Sequence, residues 1–255
     1  MLETAIHVAR RVGHLLAQRY TQPHRISVKG LRNITTEADT EAEELAIRLI
    51  RQECPEALFV SEETNERYQE AGEIPVWYID PLDGTTNFAR GIPTFSISIA
   101  MALRGQVQCG VVYDPLTEQL FYAERGQGAY LNGRRLRVSS RKTLLESVVF
   151  LDWPREPTAR QRSANFLAKL APRVDAVRSR GSAALSFCAI AAGWAEIYYQ
   201  YTLYPWDVAA GALIVEEAGG KVTDLHGRPY TLDQPDWLAT NGLVHEATLA
   251  LDPYA

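Results

Sequence analysis

The sequence predicts an α+β fold in which sheets and helices lie in layers. Strands of the first half follow one another as hairpins, whereas strands of the second half alternate with helices. The 255 residues are enough for one domain with a large core. We expect two subdomains, about 1–145 and about 146–255, that meet near residues 140–150.

Helical spacing and turn residues define the first elements. Apolar residues recur every three or four positions in Leu2–Tyr20, which predicts an amphipathic helix. A second helix is predicted from about Glu37 to Gln52, because Pro55 ends it. Ala57–Ser61 and Val76–Asp80 are short apolar runs bounded by turn residues, and they predict strands.

Alternation with a period of two identifies the next strands. Phe95–Leu103 alternates apolar with small or polar residues, and Arg104-Gly105 turns the chain into a strand over Val107–Tyr113. Asn132-Gly133 predicts a hairpin, because both residues tolerate positive φ. The hairpin is predicted to join strands over Ala129–Leu131 and Leu136–Val138.

The second half alternates strands with helices. Pro205 suits the first turn of a helix that runs through Ala218, and Gly219-Gly220 ends it. Further strands are predicted over Val148–Leu151, Val174–Val177, Ile197–Tyr201, Val222–Asp224 and Trp237–Thr240, with one helix between the first two and another over Ser182–Ala192.

Composition excludes several classes of protein. The net charge of -5 argues against a general nucleic-acid binder. Cys54, Cys109 and Cys188 form neither a CxxC pair nor an even set, which predicts no disulfide framework and a cytoplasmic protein. We expect no signal peptide and no membrane span, since no apolar run approaches about 18 residues.

The segment Asp80-Pro81-Leu82-Asp83-Gly84-Thr85 is the main functional candidate. It follows a predicted buried strand and places two like charges close together, which favours a bound cation. The amides of Gly84 and Thr85 would begin a helix and favour a phosphate. An Asx-rich surface turn is the alternative for a bare Asp-x-x-Asp.

Three other segments carry candidate polar groups. Glu62-Glu63 follows a predicted strand, although such a pair is common in solvated loops. Asp207 lies in the first turn of a predicted helix within an apolar setting, where a carboxylate needs a partner. Lys29–Asp39, taken alone, is typical of a polar loop with a capping threonine.

Together these segments resemble the inositol monophosphatase family of metal-dependent sugar phosphatases. The resemblance extends over nearly the whole chain and includes Gly126–Ala129, Gly181–Ala184 and Trp206–Gly220. It implies a layered αβαβα sandwich of the sugar-phosphatase type, a single catalytic domain over residues 1–255, and hydrolysis of a small phosphate monoester by metal-activated water. It also implies a homodimer and inhibition by lithium.

The resemblance also implies residue roles. Glu62, Asp80 and the Leu82 carbonyl would hold one Mg²⁺, and Asp80, Asp83 and Asp207 a second; Glu62 would share a third, weaker ion, and Mn²⁺ is an alternative metal. Thr85 and Asp39 would orient the attacking water, and the Gly84 and Thr85 amides would hold the phosphate. Gly181, Ser182, Ala183, Gln200 and Lys29 would lie on the substrate side. Oxygen ligands suit these hard ions.

Departures from the family bear on the substrate. Gln200 stands where the family commonly has a glutamate that contacts a substrate hydroxyl, and Asn33 replaces a common aspartate. The expected substrate is a small phosphorylated polyol or sugar, first of all inositol monophosphate. Fructose 1,6-bisphosphate, histidinol phosphate and a nucleotide phosphate are the alternatives that keep the chemistry.

A third hypothesis is a regulatory protein that uses the same fold to bind a partner. Its support is a basic cluster beside the predicted hairpin, namely Arg134, Arg135, Arg137, Arg141 and Lys142. A solvated face or a dimer edge explains such a cluster equally well. Nucleic-acid contact is less favoured, because no aromatic residues are interleaved for stacking.

Overall fold

Two sheets, one of seven strands and one of five, form the framework of the protein. The computed structural model describes residues 1–64 and 72–254. Its helices are α1 (Leu2–Tyr20), α2 (Glu37–Glu53), α3 (Thr85–Ala89), α4 (Pro157–Leu170), α5 (Ala183–Ala191), α6 (Pro205–Glu217) and α7 (His245–Leu249).

The strands follow the chain in hairpins first and in helix-linked pairs later. They are β1 (Ile26–Gly30), β2 (Asn33–Thr36), β3 (Leu58–Ser61), β4 (Val76–Asp83), β5 (Ser96–Leu103), β6 (Gln106–Asp114), β7 (Gln119–Glu124), β8 (Gly128–Leu131), β9 (Arg134–Arg135), β10 (Val148–Leu151), β11 (Ala176–Arg178), β12 (Ile197–Gln200), β13 (Lys221–Thr223) and β14 (Trp237–Thr240). The larger sheet has the order β3-β4-β5-β6-β7-β8-β9, and the smaller has β11-β10-β12-β14-β13.

The elements stack as helix, sheet, helix, sheet, helix. Helices α1 and α2 pack on one face of the larger sheet, and α5 and α6 lie between the two sheets. Apolar residues of α4, including Phe166 and Leu170, pack on the far face of the smaller sheet. The predicted α+β fold with αβαβα layers is confirmed.

The apolar runs account for these layers. Helix α1 buries one stripe, with Val8, Val12 and Leu16 fully covered. Helices α5 and α6 contain almost only apolar and small residues and are covered on nearly every side, because a sheet lies above and below them. This central helix layer carries Asp207 and Ser182 at its helix starts.

Some predicted elements need correction. Leu136–Val138 forms no strand; the turn at Asn132-Gly133 instead pairs β8 with the two-residue strand β9. Both turn residues have positive φ (48° and 81°), which closes the hairpin at once. The strand predicted over Val174–Val177 begins two residues later, as β11.

Several elements were not predicted, among them β9 and α7. Lys29–Asp39 was interpreted as a polar loop, but β1 and β2 form a separate antiparallel hairpin there. Strand β7 pairs with β6 and β8 in the middle of the larger sheet. None of the helices in the described parts of the chain is long and apolar enough to cross a membrane.

Candidate active site

A bulge at the end of β4 places two aspartates at the edge of the larger sheet. Asp80 pairs with Ser98 and Asp83 with Ser96, so three steps along β4 match two along β5. Pro81 has no N–H group and therefore suits such an interruption. Asp80 and Asp83 are only 2% and 7% exposed.

Two further acids reach this place from other elements. Glu62 directly follows β3, which runs parallel to β4, so both strands end at the same edge. Asp207 lies in the first turn of α6, where its Oδ2 accepts a hydrogen bond from the Tyr204 amide at 2.8 Å. Pro205, the first residue of the helix, fixes this cap.

The four carboxylates lie close enough for their charges to raise one another's pKa. Burial raises the pKa of Asp80 well above its ordinary value, and Glu62, Asp83 and Asp207 raise it further. Burial and the charge of Glu62 raise the pKa of Asp207 to about 7. Burial also raises the pKa of Glu62, although the charges of Arg155 and Lys29 oppose this.

Thr85 and Asp39 form a hydrogen-bonded pair beside these acids. Thr85 Oγ1 lies 2.8 Å from Asp39 Oδ1 and 3.1 Å from the Leu82 carbonyl oxygen. The other carboxylate oxygen of Asp39 accepts bonds from the amide and hydroxyl of Thr36 at the start of α2. Burial raises the pKa of Asp39 to about 6, and these hydrogen bonds limit the increase.

The turn at Gly84 requires glycine for two reasons. Its φ of 101° is a conformation that L-residues avoid, and an added Cβ would lie 3.1 Å from the carbonyl oxygen of Gly181. Asn87 secures this approach, because its Nδ2 donates to the carbonyl oxygens of Thr94 and Arg180, both at 2.8 Å. The start of α3 therefore lies directly against Arg180 and Gly181, which are called the Gly181 segment below.

The start of α5 binds Asp83. The Ser182 hydroxyl and the amides of Ala183 (3.1 Å) and Ala184 (2.9 Å) donate to its carboxylate. Burial raises the pKa of Asp83 to about 6, against the effect of these donors. Asp83 thus links the larger sheet to the central helix layer.

A cavity of about 370 Å³ opens above these groups. Its lining includes seven of the predicted residues, namely Asp83, Gly84, Thr85, Gly181, Ala183, Gln200 and Asp207. Gln200 is 5% exposed, and its Oε1 has no hydrogen-bond partner in the described part of the chain. Lys29 instead pairs with Glu63, next to Glu62.

Sequence reasoning missed several cavity residues. Asp152 accepts hydrogen bonds from the Gly181 amide at 2.6 Å and from the Ser186 hydroxyl, and so holds the Gly181 segment in place. The available signal was its position directly after strand β10, like that of Asp80 in the other sheet. No sequence pattern marked the neighbouring Trp153, Arg155 and Arg160.

The donor set has the chemistry that a hard divalent ion requires. Four clustered carboxylates and the Leu82 carbonyl offer only oxygen atoms, and their mutual repulsion favours positive charge between them. In residues 1–64 and 72–254, no three acidic, histidine or cysteine side chains are arranged as a ready cage for an ion. The oxygens of Asp83 and Asp207 bond to backbone and hydroxyl groups instead.

Comparisons with known proteins identify the family to which this chain belongs. A sequence profile of the inositol monophosphatase family matches residues 1–252, and the chain belongs to that family. The Nus factor SuhB of Escherichia coli (strain K12) is 39% identical over 255 residues, which cover 98% of this chain and 94% of that protein.

The comparison extends to Thermotoga maritima. A fructose-1,6-bisphosphatase/inositol-1-monophosphatase is 36% identical over 250 residues, covering 96% of this chain and 93% of the relative. The solved structure of a Thermotoga maritima IMPase has a TM-score of 0.91 at 35% identity, covering 98% of this chain and 95% of the other. The family and its fold, both expected from the sequence, are thereby confirmed.

Proposed function

We propose that the protein is a phosphatase that hydrolyses a small phosphate monoester with the help of divalent cations. The observation that carries this proposal is a group of four carboxylates, buried at Asp80 and Asp83 and half-buried at Glu62 and Asp207, whose charges raise one another's pKa. Such a group is unfavourable in a folded protein unless positive charge joins it. Asp83 and Asp207 line the cavity, which makes this side of the group accessible to a ligand.

The oxygen ligands proposed for the ions are those that the family resemblance implies. Glu62, Asp80 and the Leu82 carbonyl would hold one Mg²⁺, and Asp80, Asp83 and Asp207 a second. Glu62 would share a third, weaker ion, and Mn²⁺ could replace Mg²⁺. When bound, divalent ions supply positive charge that lowers the pKa of water and neutralises phosphate oxygens.

The chain's own groups would position the reactants. The bond from Thr85 Oγ1 to Asp39 Oδ1 commits the hydroxyl hydrogen, which leaves the oxygen lone pairs to orient an attacking water. The first-turn amides at Gly84 and Thr85 have no partners inside α3 and would bind the phosphate. Positioning and charge neutralisation are the main requirements for phosphoryl transfer, so no nucleophilic serine or cysteine is needed.

Gln200 bears on the choice of substrate. The unpartnered buried Oε1 would accept a hydrogen bond from a substrate hydroxyl, which fits a polyol or sugar. Inositol monophosphate is the first candidate, with Gly181, Ser182, Ala183 and Lys29 near it. Fructose 1,6-bisphosphate is favoured as the alternative substrate by the name of the Thermotoga maritima relative. Histidinol phosphate and nucleotide phosphates are the other alternative substrates.

The proposal includes a homodimer and inhibition by lithium.

The test compares two aspartate variants. Asp207→Asn removes one charge from the carboxylate group but keeps an acceptor for the Tyr204 amide, so the protein should fold while phosphate release falls at least a hundredfold. Asp175→Asn, at an exposed position outside the cavity, is the matched control and should keep full activity. Phosphate release by Asp207→Asn at the unchanged rate in a chelator would refute the proposal.

A regulatory role is the second candidate function. Relatives 38–39% identical are named Nus factor SuhB, and the basic cluster is exposed at Arg134, Arg135, Arg137, Arg141 and Lys142. Association with a partner, without phosphate release from any ester at saturating Mg²⁺, would favour this role. Phosphate release that depends on Asp207 would show that the site is catalytic, whatever else the protein binds.

A further inference from the structure

Three arginines line the same cavity as the carboxylates. Arg32 comes from the β1–β2 hairpin, Arg155 from the segment that connects β10 to α4, and Arg160 from the first turn of α4. Acidic groups such as Asp83 and Asp207 therefore share one cavity with guanidinium groups. Both kinds of charge lie within about 370 Å³, the size of a small-molecule pocket.

Two of these arginines have no carboxylate partner in the described residues. Arg155 lies 3.6 Å from Glu62, whereas no acidic group there lies within 4.0 Å of Arg32 or Arg160. Glu156, the acid four residues before Arg160, is engaged with the backbone amides of Thr158 and Ala159. The positive charge at Arg32 and Arg160 is thus available to a ligand.

Backbone and aromatic contacts hold these two guanidinium groups in place. Arg32 Nη1 donates to the carbonyl oxygen of Arg155, and Arg160 Nη1 to that of Pro154, both at 3.1 Å. Arg160 also lies over the Trp153 ring, 5.3 Å from its centre. Each contact uses one of five N–H groups, so a guanidinium fork keeps donors for an anion.

We propose that Arg32 and Arg160 form a binding site for a second anionic group on the substrate. This inference rests on the proposed function, since it takes the scissile phosphate to lie at Gly84 and Thr85. Gln200, with its unpartnered buried oxygen, would accept a hydroxyl of the same molecule. The substrate class is a sugar or polyol with two phosphate groups, because a phosphate matches a guanidinium fork better than a neutral hydroxyl does.

The test uses one sugar with and without the second phosphate. For fructose 1,6-bisphosphate and fructose 1-phosphate, kcat/KM is measured with the wild type and with the double variant Arg32→Gln/Arg160→Gln. Charge-assisted hydrogen bonds predict a preference of roughly tenfold or more for the bisphosphate. This ratio should fall to about one in the double variant, whereas Arg173→Gln, at an exposed position outside the cavity, should retain it.

Binding to the metal-stripped protein, measured by titration calorimetry, gives a readout without turnover. Tighter binding of the bisphosphate that is lost in the double variant supports the second-anion site, even if no ester is hydrolysed and the proposed function fails. Phosphate release from both sugars with no preference in rate or binding would overturn the inference and leave the proposed function standing. A preference that persists in the double variant would also overturn it.

Discussion

Protonation of the buried His245 should lower the free energy of unfolding. The ring is fully buried at the start of α7, and each nitrogen lies 3.0 Å from a threonine hydroxyl, Nδ1 from Thr240 and Nε2 from Thr223. These bonds connect α7 to β14 and β13. Burial lowers the pKa of His245 from 6.5 to about 4; the charge of Lys221 adds to this and Glu246 opposes it.

The sign follows from the lower pKa of the folded state. The stability that depends on the neutral ring is complete above the unfolded pKa of 6.5, and it is lost as the pH falls towards the folded pKa of about 4. The difference between the two pKa values corresponds to roughly 3 kcal/mol in the free energy of unfolding. Between pH 7.5 and pH 4.5, most of this, about 2–3 kcal/mol, should disappear.

Urea unfolding at pH 7.5, 6.0 and 4.5 would measure this loss. Wild type should lose about 2–3 kcal/mol more than His245→Gln over this range, because the variant has no buried group that must take up the proton. His14→Gln, which changes an exposed histidine, should follow the wild type. Parallel curves for wild type and His245→Gln would refute the reasoning.

The remaining predictions concern the candidate active site. Gly84→Ala should lower both the melting temperature and kcat, because Ala would adopt φ of 101° with its Cβ 3.1 Å from the Gly181 carbonyl; an unchanged melting temperature in calorimetry would contradict the argument. Thr85→Val should lower kcat by roughly a hundredfold with little change in circular dichroism, since it removes the hydroxyl that bonds to Asp39, and Thr85→Ser should restore much of the rate. Equal kcat for Thr85→Val and wild type would show that the hydroxyl has no role.

Strand β4 shows what the sequence could predict. Its apolar run Val76–Ile79 predicts burial, and a strand that continues to Asp80 and Asp83 places charges at buried positions. The same reasoning found Asp207 in an apolar helix start. These three aspartates could be predicted as site residues because the end of a strand and the start of a helix are local features of the sequence.

The missed features depend on distant parts of the chain. Leu120 and Phe121 are both buried, which breaks the period of two that would have marked β7. Every residue of β1 is exposed, so its pairing with β2 leaves no burial pattern. Arg32 and Arg160 enter the cavity only through the folding of two separate segments, and in sequence they are indistinguishable from ordinary surface arginines.

Buried acids in this protein follow two different physical patterns. Glu196 is fully buried, and its carboxylate accepts the Val148 amide at 2.7 Å and Arg141 at 3.1 Å, so the fold itself pairs its charge. Asp80 has the opposite surroundings, since the acids around it raise its pKa and, among the residues that the structure describes, its carboxylate accepts one hydrogen bond, from the Leu82 amide.

Packing alone gives no reason for this second arrangement, because an amide in place of any one carboxylate would remove repulsion from the folded state. A positively charged ligand does give a reason, since it turns the same repulsion into binding energy. The electrostatic cost of the unliganded site is therefore the physical argument for divalent ions. We therefore predict that Asp207→Asn, the change expected to lower phosphate release, raises the free energy of unfolding of the metal-free protein.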